Sequence, residues 1–150
     1  MQISIEEING EQKQPLLESL RILQNEIFTH AKWTTNGFEK FFANDKRSPL
    51  CFVVLADGEP VGFIMGRISK ENKFTVELFG VSNKMRGEGI GKMLMTKFLE
   101  KAISREKEII VHFRSANPVQ KFYEKIGFAN LKICGKYKNG EDKCEMSISF

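Results

Sequence analysis

Residues 85 to 93, Met-Arg-Gly-Glu-Gly-Ile-Gly-Lys-Met, set three glycines at alternate positions between cationic side chains, after one apolar run and before another. A glycine-rich turn between a strand and a helix leaves backbone N–H groups open to an anion. A dinucleotide fingerprint starting at Gly87 needs its third glycine at position 92, where Lys92 stands. A triphosphate loop ending at Gly91-Lys92 needs glycine at position 86 and Ser or Thr at 93, where Arg86 and Met93 stand. What remains is Arg86-Gly87-Glu88-Gly89-Ile90-Gly91, whose N–H groups at a helix start could converge on a pyrophosphate. Taken alone, the hexapeptide is read equally well as a tight strand-to-helix turn with no ligand.

The elements that must hold this loop follow from the hydrophobic pattern. Residues 2 to 8 predict a strand, and Pro15 opens a helix whose Leu16, Leu20, Leu23 and Ile27 form one apolar stripe fading near His30. Trp33 falls in a turn, and a short helix from about Asn36 turns Phe38, Phe41 and Phe42 inward. Two β-rich runs flank Asp57-Gly58, the strongest short-range hairpin signal. The strand from Lys73 to Val81 changes phase: Phe74, Val76 and Leu78 share one face, whereas Phe79 and Val81 fall on the other. Either it is buried on both faces, or a bulge near Gly80 re-aims it. A helix follows through Ile90, Leu94, Phe98 and Ala102, ending around Arg105, and then the buried strand Glu108 to Phe113. Asn117-Pro118 reads as the cap and first position of a helix that Gly127 terminates. Strands near 128 to 137 and 143 to 150 close the chain around the turn from Lys138 to Glu141.

The chain has 150 residues, 41% of them apolar and 28% charged, so one domain spanning 1–150 with a single core is expected. No run of eighteen apolar residues and no basic region leading into an apolar stretch is present, so a cytoplasmic protein that neither spans nor binds a membrane is expected. The net charge of +4 is dispersed among acids, which suits a small anionic ligand better than a nucleic-acid backbone. Cys51, Cys134 and Cys144 are widely spaced, with no CxxC pair, and predict reduced cysteines and no metal site.

The glycine loop resembles the R/Q-x-x-G-x-G/A signature of the GNAT superfamily, the acyl-coenzyme A-dependent N-acyltransferases. The segment from Asn117 to Phe128 is similar to that family's second motif, ending in Tyr-Glu-Lys-x-Gly-Phe. Order and spacing of elements match over nearly the whole chain. Trp33-Thr34 ahead of Phe38, and the closing Gly140 to Met146, resemble the ribosomal-protein N-terminal alanine acetyltransferases. The resemblance implies an α/β (α+β) fold: a mixed, mostly antiparallel central sheet of about seven strands with about four helices on its two faces, splayed at a bulged strand before the loop.

It also implies transfer of an acetyl group from acetyl-CoA to a small-molecule or peptide primary amine, by direct attack in a ternary complex, in a monomer or homodimer. Backbone groups of Phe79, Gly80 and Val81 would hold the pantetheine arm; Arg86, Gly87, Glu88, Gly89, Ile90, Gly91 and Lys92 the pyrophosphate; Lys84 and Lys121 are further phosphate candidates. Tyr123 occupies the position of the acid that protonates the departing thiolate. Glu77 and His112 are candidate bases, each with an ordinary structural alternative, a surface ion pair and a satisfied strand histidine. Asn117 is expected to bond the coenzyme or to cap its helix. Trp33, Phe38 and Tyr137 would line the acceptor pocket, with Glu39, Glu141 and Asp142 attracting a cationic amine. A non-catalytic acyl-coenzyme A sensor is the alternative.

Overall fold

The computed structural model describes residues 1–9, 14–28, 34–104 and 108–150. Seven strands, β1 (Ile3–Ile8), β2 (Leu50–Ala56), β3 (Glu59–Ile68), β4 (Phe74–Val81), β5 (Glu108–Arg114), β6 (Ala129–Lys136) and β7 (Asp142–Ser149), form one sheet in the order β1-β2-β3-β4-β5-β7-β6. All neighbours are antiparallel except β4 and β5. Four helices cover it: α1 (Gln14–Ile27), α2 (Thr35–Ala43), α3 (Ile90–Ala102) and α4 (Gln120–Ile126). No helix among the described residues is long and apolar enough to cross a membrane.

Alternation along the strands sorts the core into two layers, since successive side chains leave a strand on opposite faces. Leu50, Phe52 and Val54 of β2 pack with Ile90, Leu94 and Phe98 of α3 and with Tyr123 of α4. Cys51 and Val53 pack on the other face with Leu17, Leu20 and Leu23 of α1 and Phe38, Phe41 and Phe42 of α2. Burying side chains of this size contributes roughly 1.5–3 kcal/mol each. The β2–β3 hairpin turns at Asp57 (φ 49°) and Gly58 (φ 85°), the left-handed pair that Asp-Gly favours. Thr34 caps α2, its Oγ1 accepting from Gly37 N–H at 3.1 Å.

The phase change in β4 has a definite cause. Met65 of β3 pairs with Leu78, whereas the next residue, Gly66, pairs with Val76, so Glu77 is an extra residue in the ladder. The bulge therefore lies at Glu77, three residues before the expected Gly80. It puts Phe74, Val76, Phe79 and Val81 on the α3 face and sends Leu78 to the α1 face. Gly80 belongs where α1 approaches the strand: a Cβ there would stand 2.8 Å from Ile27 Cγ2 and 3.1 Å from Phe28.

Candidate active site

β4 and β5 pair only at Phe74–Ile109 and Thr75–Ile110. Beyond Thr75 the parallel strands separate, leaving the β5-facing backbone groups of Val76 to Val81 without a ladder partner. The gap opens into a cleft of about 860 Å³. Phe79, Gly80, Val81, Arg86, Gly87, Gly89, Ile90, Gly91 and Lys92 line one wall, and His112, Asn117, Tyr123 and Tyr137 the other. Glu88, Lys84 and Lys121 do not line it, and Glu88 and Lys84 are exposed. Ile27, Phe28, Met85 and Phe122 also line it, and nothing in their local sequence marks them for a site.

In the glycine loop, Gly87 (φ 84°) and Gly89 (φ 78°) take left-handed backbone, which costs an L side chain roughly 1–2 kcal/mol. No atom lies within 4 Å of where a Cβ would stand on either, so the space in front of the loop is open. Gly89 is the N-cap of α3 and supplies no side-chain cap. The first-turn N–H groups and the positive end of the helix dipole thus face the cleft, flanked by the exposed cations Arg86 and Lys92.

Tyr123 is 6% exposed, its ring set among Phe113, Phe122 and Phe128 at centroid separations of 5.6, 5.6 and 5.5 Å. Its hydroxyl makes no hydrogen bond among the described residues. Burial, with a smaller contribution from Tyr137, pushes its pKa up to about 12. It therefore stays protonated across the physiological range, as a proton donor must. Asn117 is not the helix cap: α4 begins at Gln120 behind Val119, with no side-chain cap, because the Asn117 N–H closes a turn onto Arg114 C=O at 2.9 Å and delays the helix.

A second cavity of about 540 Å³ lies where the strands part and shares Val76, Glu77, His112 and Tyr137 with the first. Glu77 Oε1 is held by Arg67 Nε at 2.7 Å and faces Arg47 at 3.6 Å. His112 Nε2 lies 3.0 Å from Glu145 Oε1, and Lys132 Nζ lies 3.1 Å from Glu145 Oε2. Burial opposes the Glu145 charge, but the hydrogen bonds from His112 and Lys132, together with their charges, outweigh it and hold the carboxyl below its ordinary value. Sequence reasoning missed Glu145, whose partner His112 stands 33 residues away and is met only through β5–β7 pairing.

Arg114 lies over the Tyr137 ring at 4.0 Å from its centroid. Burial raises the Tyr137 pKa, against the pull of Arg114. Glu141 Oε1 faces Arg114 at 3.9 Å while its buried Oε2 has no hydrogen-bond partner among the described residues, and Asp142 accepts from Lys136 at 2.8 Å. Phe38 does not line the acceptor side. It is 0% exposed in the α2 core, because the inward stripe that marked it is a packing stripe. Trp33 lies outside the described residues. Where spacing along the chain predicted no metal site, His112, Cys134 and Glu145 bring one ligand atom each within 4.8 Å of one another.

The parallel pair thus splays beside an uncapped glycine loop, with a buried tyrosine across the gap. The model of the Acetyltransferase (GNAT) family matches residues 17–128, and the chain belongs to that family. It is 36% identical over 92 residues to human N-acetylaspartate synthetase, covering 58% of this chain and 30% of that protein. It is 34% identical over 103 residues to an uncharacterized N-acetyltransferase of Archaeoglobus fulgidus, covering 62% of this chain and 66% of that one. The chain thus spans less than two thirds of these curated relatives. Among solved structures, the NatC complex bound to Gag peptide and CoA matches with a TM-score of 0.82 at 16% identity, covering 100% of this chain and 99% of the matched one. A ribosomal-protein alanine N-acetyltransferase of Escherichia coli matches at 0.76 and 16%, covering 99% and 94%. These likenesses establish the fold.

Proposed function

We propose that this protein transfers the acetyl group of acetyl-CoA to a primary amine, of a small molecule or a peptide N-terminus, by direct attack in a ternary complex. The observation that carries this reading is the continuous cleft left where β4 departs from β5, which joins the open glycine loop, Tyr123 and His112, the partner of Glu145. In it, the pyrophosphate sits against the first-turn amides of α3 with Arg86 and Lys92 beside it, and the pantetheine amides pair with the free edge of Phe79 to Val81. Asn117, on the opposite wall, is a further polar contact for the coenzyme.

The amine enters from the smaller cavity, past Tyr137. Its nitrogen lone pair attacks the thioester carbonyl carbon, the C–S bond breaks, and the sulfur takes a proton from the Tyr123 hydroxyl. The nitrogen loses its proton to His112, directly or through one water, and Glu145 fixes the ring and stabilises the imidazolium formed. Glu77 serves this reading less well as a base, since Arg67 and Arg47 hold its Oε1 by ion pairs. It is better read as the anchor of the bulge.

Incubation of the protein and acetyl-CoA with a panel of amines, amino acids and peptides, following free thiol and acetylated product together, tests the proposal. Thiol release that depends on one class of amine and matches product one for one is the expected result. Tight coenzyme binding with no release above spontaneous hydrolysis for any amine would instead favour an acyl-coenzyme A sensor.

A further inference from the structure

We propose that His112, Cys134 and Glu145 form a binding site for a borderline-soft divalent cation, zinc in the first instance, on the acceptor side of the cleft. The three residues come from three neighbouring strands, β5, β6 and β7, and their ligand atoms lie within 4.8 Å of one another. Two local features bring them together. His112 and Glu145 are register partners, so their side chains leave the sheet on the same face, Nε2 to Oε1 at 3.0 Å. On β6, Ile133 pairs with Cys144 and Gly135 with the adjacent Lys143, so Cys134 is an extra residue in the ladder, and the irregularity turns its thiol into the cavity.

The donor set is imidazole nitrogen, thiolate sulfur and carboxylate oxygen, which suits zinc and discriminates against magnesium and calcium, whose sites are built from oxygen. Zinc bonds of about 2.0–2.3 Å at tetrahedral angles place ligand atoms roughly 3.3–3.8 Å apart, so the triad needs to close by about 1 Å. The exposed Cys134 on the outer strand β6 can supply that movement. Glu145 has an oxygen for each partner: Oε2 stays with Lys132 while Oε1 exchanges the His112 hydrogen bond for the metal. Lys132 and Lys143 face the same site and weaken it electrostatically. Cys51 and Cys144 are buried and stand apart from the triad. Metal binding releases the Cys134 thiol proton, and three protein ligands leave a fourth position open toward the cavity.

One consequence rests on the function proposed above. A cation here occupies the nitrogen lone pair of His112 and the acceptor cavity, so it inhibits acetyl transfer competitively with the amine and not with acetyl-CoA.

The site is tested on the purified, reduced full chain with no coenzyme or amine present, so its outcome is separable from that of the acetyltransferase reading. Titration with Co²⁺ should give a saturable, one-per-chain spectrum with thiolate-to-cobalt charge-transfer absorption, displaced by Zn²⁺ and not by Mg²⁺. Cys134→Ser should abolish the charge-transfer band, and His112→Gln and Glu145→Gln should each weaken affinity by more than about tenfold. Coenzyme binding and thermal melting of each variant establish that it is folded. No saturable binding, or a thiolate band unchanged in Cys134→Ser, overturns the site. A zinc-loaded protein as active as the metal-free one overturns the inhibitory consequence.

Discussion

The acidity of the Tyr123 phenol is set by what surrounds it. A phenol in water ionises near pH 10; walled by Phe113, Phe122 and Phe128, this one holds its proton to about 12. That makes it a weaker acid than its position in the sequence motif implies, and transfer to a thiol anion of ordinary pKa about 8.5 is uphill by roughly 5 kcal/mol. The same apolar walls raise the proton affinity of a thiolate buried beside it, which narrows the gap. Tyr123→Phe keeps the ring and its packing, so turnover should fall about a hundredfold while the urea midpoint at neutral pH changes little; wild-type turnover would make Tyr123 a packing residue. His112→Gln should lower kcat/KM by a similar factor with coenzyme affinity and thermal stability unchanged, whereas a mere packing role would show as lost stability. The tyrosine was legible in the sequence because its motif is local. The imidazole–carboxylate pair was not, since β5–β7 register, invisible from either segment alone, makes it.

At the scale of elements, the bulge at Glu77 and the separation of β4 from β5 do the positioning. The extra residue exchanges the faces of β4, and the Arg67 and Arg47 guanidiniums hold the carboxylate that the bulge turns toward α2. The sequence showed that the phase breaks but not where, because Glu77 carries no turn signal and Gly80 does; that glycine answers instead to the approach of Ile27. The glycine loop was legible in kind, and its geometry divides the glycine requirement into two parts. Gly89→Val meets both left-handed strain and obstruction of the open space. It should lose roughly 1–2 kcal/mol of stability and bind coenzyme A more than about tenfold more weakly by calorimetry. Gly89→Asn tolerates the left-handed backbone, so it should keep its stability and still bind weakly; full affinity in that variant would remove the loop from the coenzyme site.

Over the whole molecule, two cores clamp a sheet that is torn along one seam, and titration reports on how tightly the seam is closed against water. The Tyr123 pKa is raised on folding, so its contribution to stability is fully present below pH 10 and lost as pH climbs through about 12. Between those limits the folded state holds the extra proton, so from about pH 9 to about pH 11 the unfolding free energy should drop by about 1.3 kcal/mol more in the wild type than in Tyr123→Phe. Parallel urea melts at pH 9 and pH 11 check this, and equal drops would mean the hydroxyl is already hydrated in the folded protein. Glu145 acts with the opposite sign: its folded pKa is depressed, so the stability it adds is present above its unfolded value and lost as pH falls through the folded one.

The sequence by itself determined what local patterns can carry. It held the periodicity of α1 and α3, the Asp57-Gly58 turn, the glycine loop and the motif around Tyr123, because each depends on residues within a few positions of one another. Where partners are far apart in the chain, only the tertiary structure decided. Pairing across β5, β6 and β7 joins His112 to Glu145 and Cys134, and core packing removes Phe38 from the site. The seam between β4 and β5 is of the same kind: strand separation is a property of two segments, and neither segment holds it alone.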